Sequence, residues 1–342
     1  MKSMLLKQIS DLREEKKPLE FSDIPEPVPG PNEILLKVNA CGVCHTELDE
    51  IEGRTPPPVF PVVPGHQVVG QVVDKGTDVT MFKIGDRAGV AWIFASCGTC
   101  EFCVNGLDNL CPEFKATGRD AHGGYAEYMK VQEGFAYQIP EYFSDYEAAP
   151  LFCAGAIGYR SLALTNIQNG QTLGLTGFGA SAHLVLKLAR HLFPETKVMI
   201  FARSEEERAF ALELGAIWAG DIGDNAPEKL SAIIDTTPVW RPILTSLENL
   251  KPGGRLVINA IRKEEVDKPQ LLSLHYPDHL WMEKEIKTVA NVARRDVAEF
   301  LEIAARAGIK PQIQQYALQE ANQALLELKN REIKGAKVLV LS

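Results

Sequence analysis

Residues 172–191 read TLGLTGFGASAHLVLKLARH, and this stretch decides the architecture. An apolar run at 172–176 has strand character. GFGAS follows as a turn, and residues 182–191 set Leu184, Val185 and Leu188 on one helix face. The turn fits G-x-G-x-x-A between a strand and a helix, the context in which this otherwise weak motif has meaning. Gly177 permits the tight turn, Gly179 lets the backbone approach a pyrophosphate, and Ala182 allows close helix–strand packing. Gly177, Gly179 and Ala180 are therefore assigned to dinucleotide binding.

Reading outward, the alternation continues. Residues 198–201 form a second apolar strand, and SEEERAFALELGA is an acid-capped helix stopped by Gly215. LSAIIDTT, a helical stretch near 243–250 and GGRLVINA complete the series. This pattern predicts an α/β fold, a Rossmann-type doubly wound parallel sheet, over residues 151–291. Residues 1–150 read differently. Short β-rich runs at 34–38 and 68–73 are interrupted by PEPVPGPNE, PPPVFPVVPGH and DKGTDV. From residue 292, DVAEFLEIAARAG and LQEANQALLELKN read as helices before a last strand, KVLVL.

The chain has 342 residues, 45% hydrophobic and 24% charged, which suits two domains with cores of their own. A net charge of −9 without a long basic run argues against nucleic-acid or anionic-membrane partners. The N-terminus becomes charged too early for a signal-peptide core, and no apolar run reaches the ~20 residues of a membrane span. A cytoplasmic location is expected. There, clustered cysteines bind metal more often than they form disulfides.

Four of the seven cysteines lie in CGTCEFCVNGLDNLC: Cys97, Cys100, Cys103 and Cys111. The spacing C-x2-C-x2-C-x7-C brings four thiolates within reach of one tetrahedral ion, and Gly98, Asn105 and Gly106 let the loop fold around it. With little apolar material of its own, such a loop depends on metal bonds for its shape. Zinc is expected, with an iron–sulfur cluster or free thiols as the alternatives. Cys44, His66 and Cys153 are too far apart for spacing to group them, and each alone has an ordinary reading as a packed thiol or a turn residue.

The order of CGVCHTEL, PVVPGHQVVGQVV, the four-cysteine lobe, LFCAGAIGYRSL, GFGASAHL and the closing NREIKGAKVLVLS resembles that of zinc-dependent medium-chain alcohol dehydrogenases. The likeness runs through nearly the whole chain. It implies a β-rich GroES-like catalytic domain over residues 1–150, completed by a return segment at 292–342. It also implies two zinc ions per chain, one structural in the lobe and one catalytic on Cys44, His66 and Cys153, with water or substrate oxygen as fourth ligand. The implied reaction moves a hydride between a small alcohol or aldehyde and a nicotinamide cofactor, in a homo-oligomer of two or four chains.

Individual positions carry further expectations from the resemblance. Thr46 matches the hydroxyl that takes the alcohol proton, and Asp49 stands where an outer relay histidine is usual. Glu47 matches a carboxylate that steadies the zinc-bound histidine, and His45 a residue near the cofactor pyrophosphate. Gln67 replaces the usual Glu, which leaves ligand exchange in question. Trp92 falls at a substrate-pocket aromatic, and with Ile93 and Ile157 suggests a hydrophobic pocket. Ala336 replaces a phosphate-binding Arg, a contact that Lys337 could take over. At the end of the second strand of the dinucleotide domain, Ala202 replaces the acid of NAD-binding relatives. Arg203 offers a fork suited to a 2′-phosphate, and Ser204 a hydrogen bond or a helix cap. NADP(H) is favoured over NAD(H). Two other readings compete: enone or quinone reduction without catalytic zinc, and cofactor binding without turnover.

Overall fold

The computed structural model describes residues 1–330 and 335–341. Part of the closing NREIKGAKVLVLS, residues 331–334 and 342, lies outside them. The chain divides into two compact units, Ala154–Asn291 and the remainder, Met1–Cys153 with the described residues from Val292 onward.

Ala154–Asn291 contains a six-stranded sheet in the order Trp218–Gly220, Lys197–Phe201, Thr172–Thr176, Leu230–Asp235, Leu250–Ile258, Glu285–Thr288. Every pairing is parallel. Counted within this unit the order is 3-2-1-4-5-6, the doubly wound arrangement read from the alternation. Thr172–Thr176 is buried at every residue, as a strand covered on both faces must be. The helix after it, Ala180–Leu192, begins two residues earlier than periodicity suggests, because Gly179 in extended geometry serves as its N-cap. Glu205–Glu213 begins at Ser204, whose hydroxyl accepts from the Glu207 amide while Glu207 reaches back, a complete capping box. Gly215, at φ +97°, ends that helix as expected.

The other unit is built on a mostly antiparallel seven-stranded sheet. Glu33–Val43 lies at its centre, pairing with Val68–Lys75, Tyr128–Gln132 and the C-terminal strand Ala336–Val340. The last pairing sets Leu339 opposite Cys41, so the chain's end closes the sheet its beginning opened. One core includes Leu36, Val38, Cys41, Val68, Val90, Ile93, Tyr125 and Leu339. The seventh cysteine, Cys41, is thereby a packing residue. Arg294–Arg306 and Ala321–Lys329 are the two helices read in the return segment. No helix among the described residues is long and apolar enough to cross a membrane.

Candidate metal centres and dinucleotide site

Cys44 directly follows the central strand Glu33–Val43 and is the N-cap of the helix His45–Ile51. The cap is held by Glu47, whose Oε2 accepts from the Cys44 amide at 2.8 Å. The other oxygen of Glu47, Oε1, lies 2.6 Å from His66 Nδ1. One fully buried carboxylate thus fixes both the helix start and the imidazole. His66 precedes the strand Val68–Lys75, and Cys153 follows the 3-10 turn Ala149–Phe152.

These elements bring Cys44 Sγ, a ring nitrogen of His66 and Cys153 Sγ within 4.8 Å of one another. The two sulfurs stand 3.8 Å apart, the span of two ~2.3 Å zinc–sulfur bonds at a tetrahedral angle. His66 Nε2 is buried and has no hydrogen-bond partner. A buried imidazole nitrogen left without a partner is costly, and a metal ion at this point would satisfy it. The contact with Cys153 foremost holds Cys44 well below the ordinary thiol range, and the same contact pushes Cys153 well above it. A metal ion held between these two sulfurs would bind both as thiolates. The donor set therefore fits zinc, with one tetrahedral position left for a small oxygen ligand.

The surrounding residues are placed as follows. Thr46 is half-buried with Oγ1 3.7 Å from Cys44 Sγ, beside the donor set. Asp49 is buried and its carboxylate is in an ion pair with Arg54 Nε. His45 is exposed at the first position of the helix. Gln67 is buried against Gly42, where a Cβ would fall 2.5 Å from its Oε1. Trp92 stacks on Phe114 at 4.9 Å and carries the Arg119 guanidinium 5.7 Å from its ring. Ile93 is fully buried in the core of this unit. Glu50 and Arg119, both polar and near this centre, were missed by sequence reasoning. The four-residue spacing from Thr46 to Glu50 on one helix was the available signal.

In the lobe, Cys97, Cys100, Cys103 and Cys111 form a second group whose sulfurs lie within 4.8 Å of one another. Cys97–Cys103 and Cys100–Cys103 separations of 3.9 and 3.6 Å bracket the tetrahedral value. The short helix Glu101–Val104 buries only Cys103, while Val104 and Leu110 are exposed. Apolar packing does not hold this loop, as its composition suggested. Backbone amides of Thr99 and Cys100 bring Cys97 down to about 6, and burial pushes Cys111 up to about 11.

At the dinucleotide turn, Gly177 has φ +79°, a conformation costly for any side chain. Gly179 differs. Its φ is ordinary, and a Cβ there would meet nothing within 4 Å. Internal packing gives no reason for a glycine at 179, whereas close approach of a ligand to the backbone does. Ala180 opens the helix, Ala182 is buried beneath it, and Ser181 Oγ donates to Ala154 O at 3.0 Å. After the second strand, Ala202 is buried and Ser204 is committed to its cap. Arg208 Nη1 donates to the carbonyls of Ala202 and Arg203 at 2.8 and 2.9 Å, so it braces the loop. Arg203 itself is exposed, and its guanidinium makes no hydrogen bond or ion pair among the described residues.

Lys337 departs from expectation. Its side chain is 1% exposed, with Nζ 2.6 Å from both Glu327 Oε2 and Tyr316 Oη. An ammonium held in this way is not available to a cofactor phosphate.

The family description of the alcohol dehydrogenase GroES-like domain matches residues 30–141. The chain is 41% identical over 329 residues to the probable alcohol dehydrogenase AdhA of Mycobacterium tuberculosis, covering 95% of this chain and 93% of that one. An alcohol dehydrogenase of Geobacillus stearothermophilus is 31% identical over 339 residues, with 96% and 98% covered. Among solved structures, a cinnamyl alcohol dehydrogenase of Sorghum bicolor superposes with a TM-score of 0.85 at 28% identity, covering 99% of this chain and 97% of that one.

Proposed function

Because this chain belongs to the family of zinc-dependent medium-chain alcohol dehydrogenases, we propose that it oxidises a small alcohol, or reduces the matching aldehyde, at a zinc held by Cys44, His66 and Cys153. The observation that carries this reading is the convergence of those three donors around the unpartnered His66 Nε2.

Zinc, when bound there, would lower the pKa of an oxygen ligand, toward ~7 in favourable cases, and so favour loss of a hydroxyl proton. A nicotinamide cofactor would supply the hydride acceptor or donor. The rest belongs to the chain. Glu47 fixes the His66 tautomer by accepting from Nδ1, which leaves Nε2 as the coordinating atom. Thr46 receives the hydroxyl proton at Oγ1. Onward transfer through Asp49 has to compete with the Arg54 ion pair, so Asp49 acts as a relay only when that pair opens, and water is the other outlet. Gly179 admits the pyrophosphate to the helix N-terminus, and His45 is assigned to the pyrophosphate as well.

We read the cofactor as NADP(H). Residues 202–204, directly after the strand Lys197–Phe201, hold no acid, Ala202 is too small to crowd a 2′-phosphate, and Arg203 is uncommitted. The lobe cysteines are assigned a structural zinc, and Trp92 a wall of the substrate pocket.

The test is oxidation of a primary-alcohol panel with NADP and NAD side by side, on protein whose zinc has been counted. Turnover with NADP at two zinc per chain is the expected result. A preference for NAD would remove the Arg203 argument. One zinc per chain with enone reduction would replace the alcohol reading.

A further inference from the structure

Glu50 is the one buried carboxyl near the Cys44–His66–Cys153 centre with no role in the account above. It is 1% exposed, and neither oxygen has a hydrogen-bond partner. Burying a carboxyl without a partner is among the costlier arrangements a fold can retain. The neighbouring groups do not answer it. Arg119 is bound through Nε and Nη2 to Asp120 Oδ2, at 3.2 and 2.7 Å. His66 Nδ1 faces Glu47, and Arg54 is held by Asp49 and Glu52.

The position of Glu50 indicates what it faces. It lies one helical turn beyond Thr46 on the helix His45–Ile51, and residues four apart share a helix face. Thr46 is the residue of that face that touches the donor set, at Cys44 Sγ. The charges of His66, Cys44 and Arg119 all act on Glu50. Arg119 in turn sits over the ring of Trp92, whose Nε1 is also buried and unpartnered. Beside the metal-competent donors there is thus a buried carboxyl, Glu50, whose hydrogen bonds are unanswered. A ligand hydroxyl extending from those donors along the helix face would answer it.

We propose that Glu50 is a specificity-determining residue that takes a second hydroxyl of the substrate, so that this enzyme prefers diols and hydroxy-aldehydes to plain alcohols of the same length. This rests on the alcohol dehydrogenase reading and deepens it. Burial foremost, then the charge of Glu47, pushes Glu50 well above the usual carboxyl range. That direction suits a neutral hydroxyl partner better than a second buried charge. A site built to bond a hydroxyl discriminates strongly against the analogue lacking it, because its own polar group is then left unpaired.

The experiment compares α,ω-diols of graded length with mono-alcohols of equal length, on zinc-loaded wild type, Glu50→Gln and Glu50→Leu. Two quantities are read: kcat/KM, and binding by calorimetry in the presence of cofactor. Wild type is expected to favour one diol by at least about tenfold in both. Glu50→Leu brings the ratio close to one by weakening the diol alone, and Glu50→Gln retains part of the preference. Zinc content and melting temperature show whether each variant is folded; the glutamine form keeps the comparison open if the leucine form is not. A wild-type ratio near one, or a ratio unchanged in Glu50→Leu, overturns the proposal and leaves Glu50 with a solvent partner. A preference for amino-alcohols over diols overturns it too. If no alcohol is oxidised but diol binding still depends on Glu50, the dehydrogenase reading falls and with it the substrate preference, while Glu50 keeps only its assignment as a hydroxyl-binding residue.

Discussion

Glu47 illustrates how much depends on single atoms here: one oxygen caps a helix at Cys44 and the other orients His66. Glu47→Gln keeps the shape but offers only one acceptor. Zinc affinity at the Cys44 centre is expected to fall about 10- to 100-fold, measured by competition with a chelator. An unchanged affinity would mean that the imidazole is held by packing alone. Cofactor choice is a second matter of one residue. Ala202→Asp restores a carboxylate where a ribose hydroxyl would lie, and should move the NADP/NAD ratio of kcat/KM toward NAD by at least about tenfold. If Ala202→Asp leaves the ratio unchanged, the 2′-position is read elsewhere. At this scale sequence was informative where chemistry is clustered or carries a motif. The four lobe cysteines lie within one loop, and Gly177 and Gly179 within one turn. Glu50 was illegible for the opposite reason. A glutamate on a short helix normally faces water, and only the tertiary fold buries this one.

Among elements, the lobe is the one whose folding should depend on metal. Its amides hold Cys97 near 6, but Cys111 near 11 still carries its proton at neutral pH. Zinc binding to the lobe should therefore release protons, fewer as pH rises toward 11, with apparent affinity weakening as pH falls from about 11 and more steeply below about 6. Calorimetry in buffers of different ionisation enthalpy counts those protons; pH-independent release would contradict this assignment. The return segment is fastened differently, by the buried Lys337 against Glu327 and Tyr316. The bond from Lys337 foremost brings Glu327 from an ordinary 4.5 to about 2. A lowered carboxyl contributes stability that is complete above 4.5 and is lost as pH falls toward 2. Glu327→Gln should thus cost about 1 kcal/mol at pH 7 once solvent screening of the partly exposed carboxylate is allowed for, and the deficit against wild type should narrow through that acid window in urea unfolding. A deficit constant with pH would assign the cost to packing. Element reading from sequence succeeded where burial imposes a pattern, as in Thr172–Thr176. It failed for Glu285–Thr288, whose four residues are all exposed and carry no apolar signal.

That strand matters for the whole molecule. Glu285–Thr288 is the outer member of the parallel sheet, with Leu256 and its neighbours on one side and no strand on the other among the described residues. An unpaired edge is a template for another chain. Proteins that keep such an edge monomeric blunt it with charge; here Glu285 and Lys287 supply some, yet exposed apolar residues accompany them. Leu272 is 90% exposed, Trp281 55% and Ile286 47%. Apolar exposure of this kind beside an open edge marks a surface meant to be covered. A second copy is the natural occupant, since a twofold axis beside the edge would pair the strand antiparallel with itself and join the two sheets into one. Light scattering at micromolar concentration should therefore give twice the chain mass of 37.7 kDa. Ile286→Lys combined with Trp281→Arg places like charges opposite each other across that axis and should return the protein to monomer with its secondary structure intact. A wild type that is monomeric, or a double variant that remains dimeric, would show that this edge is not where the copies meet.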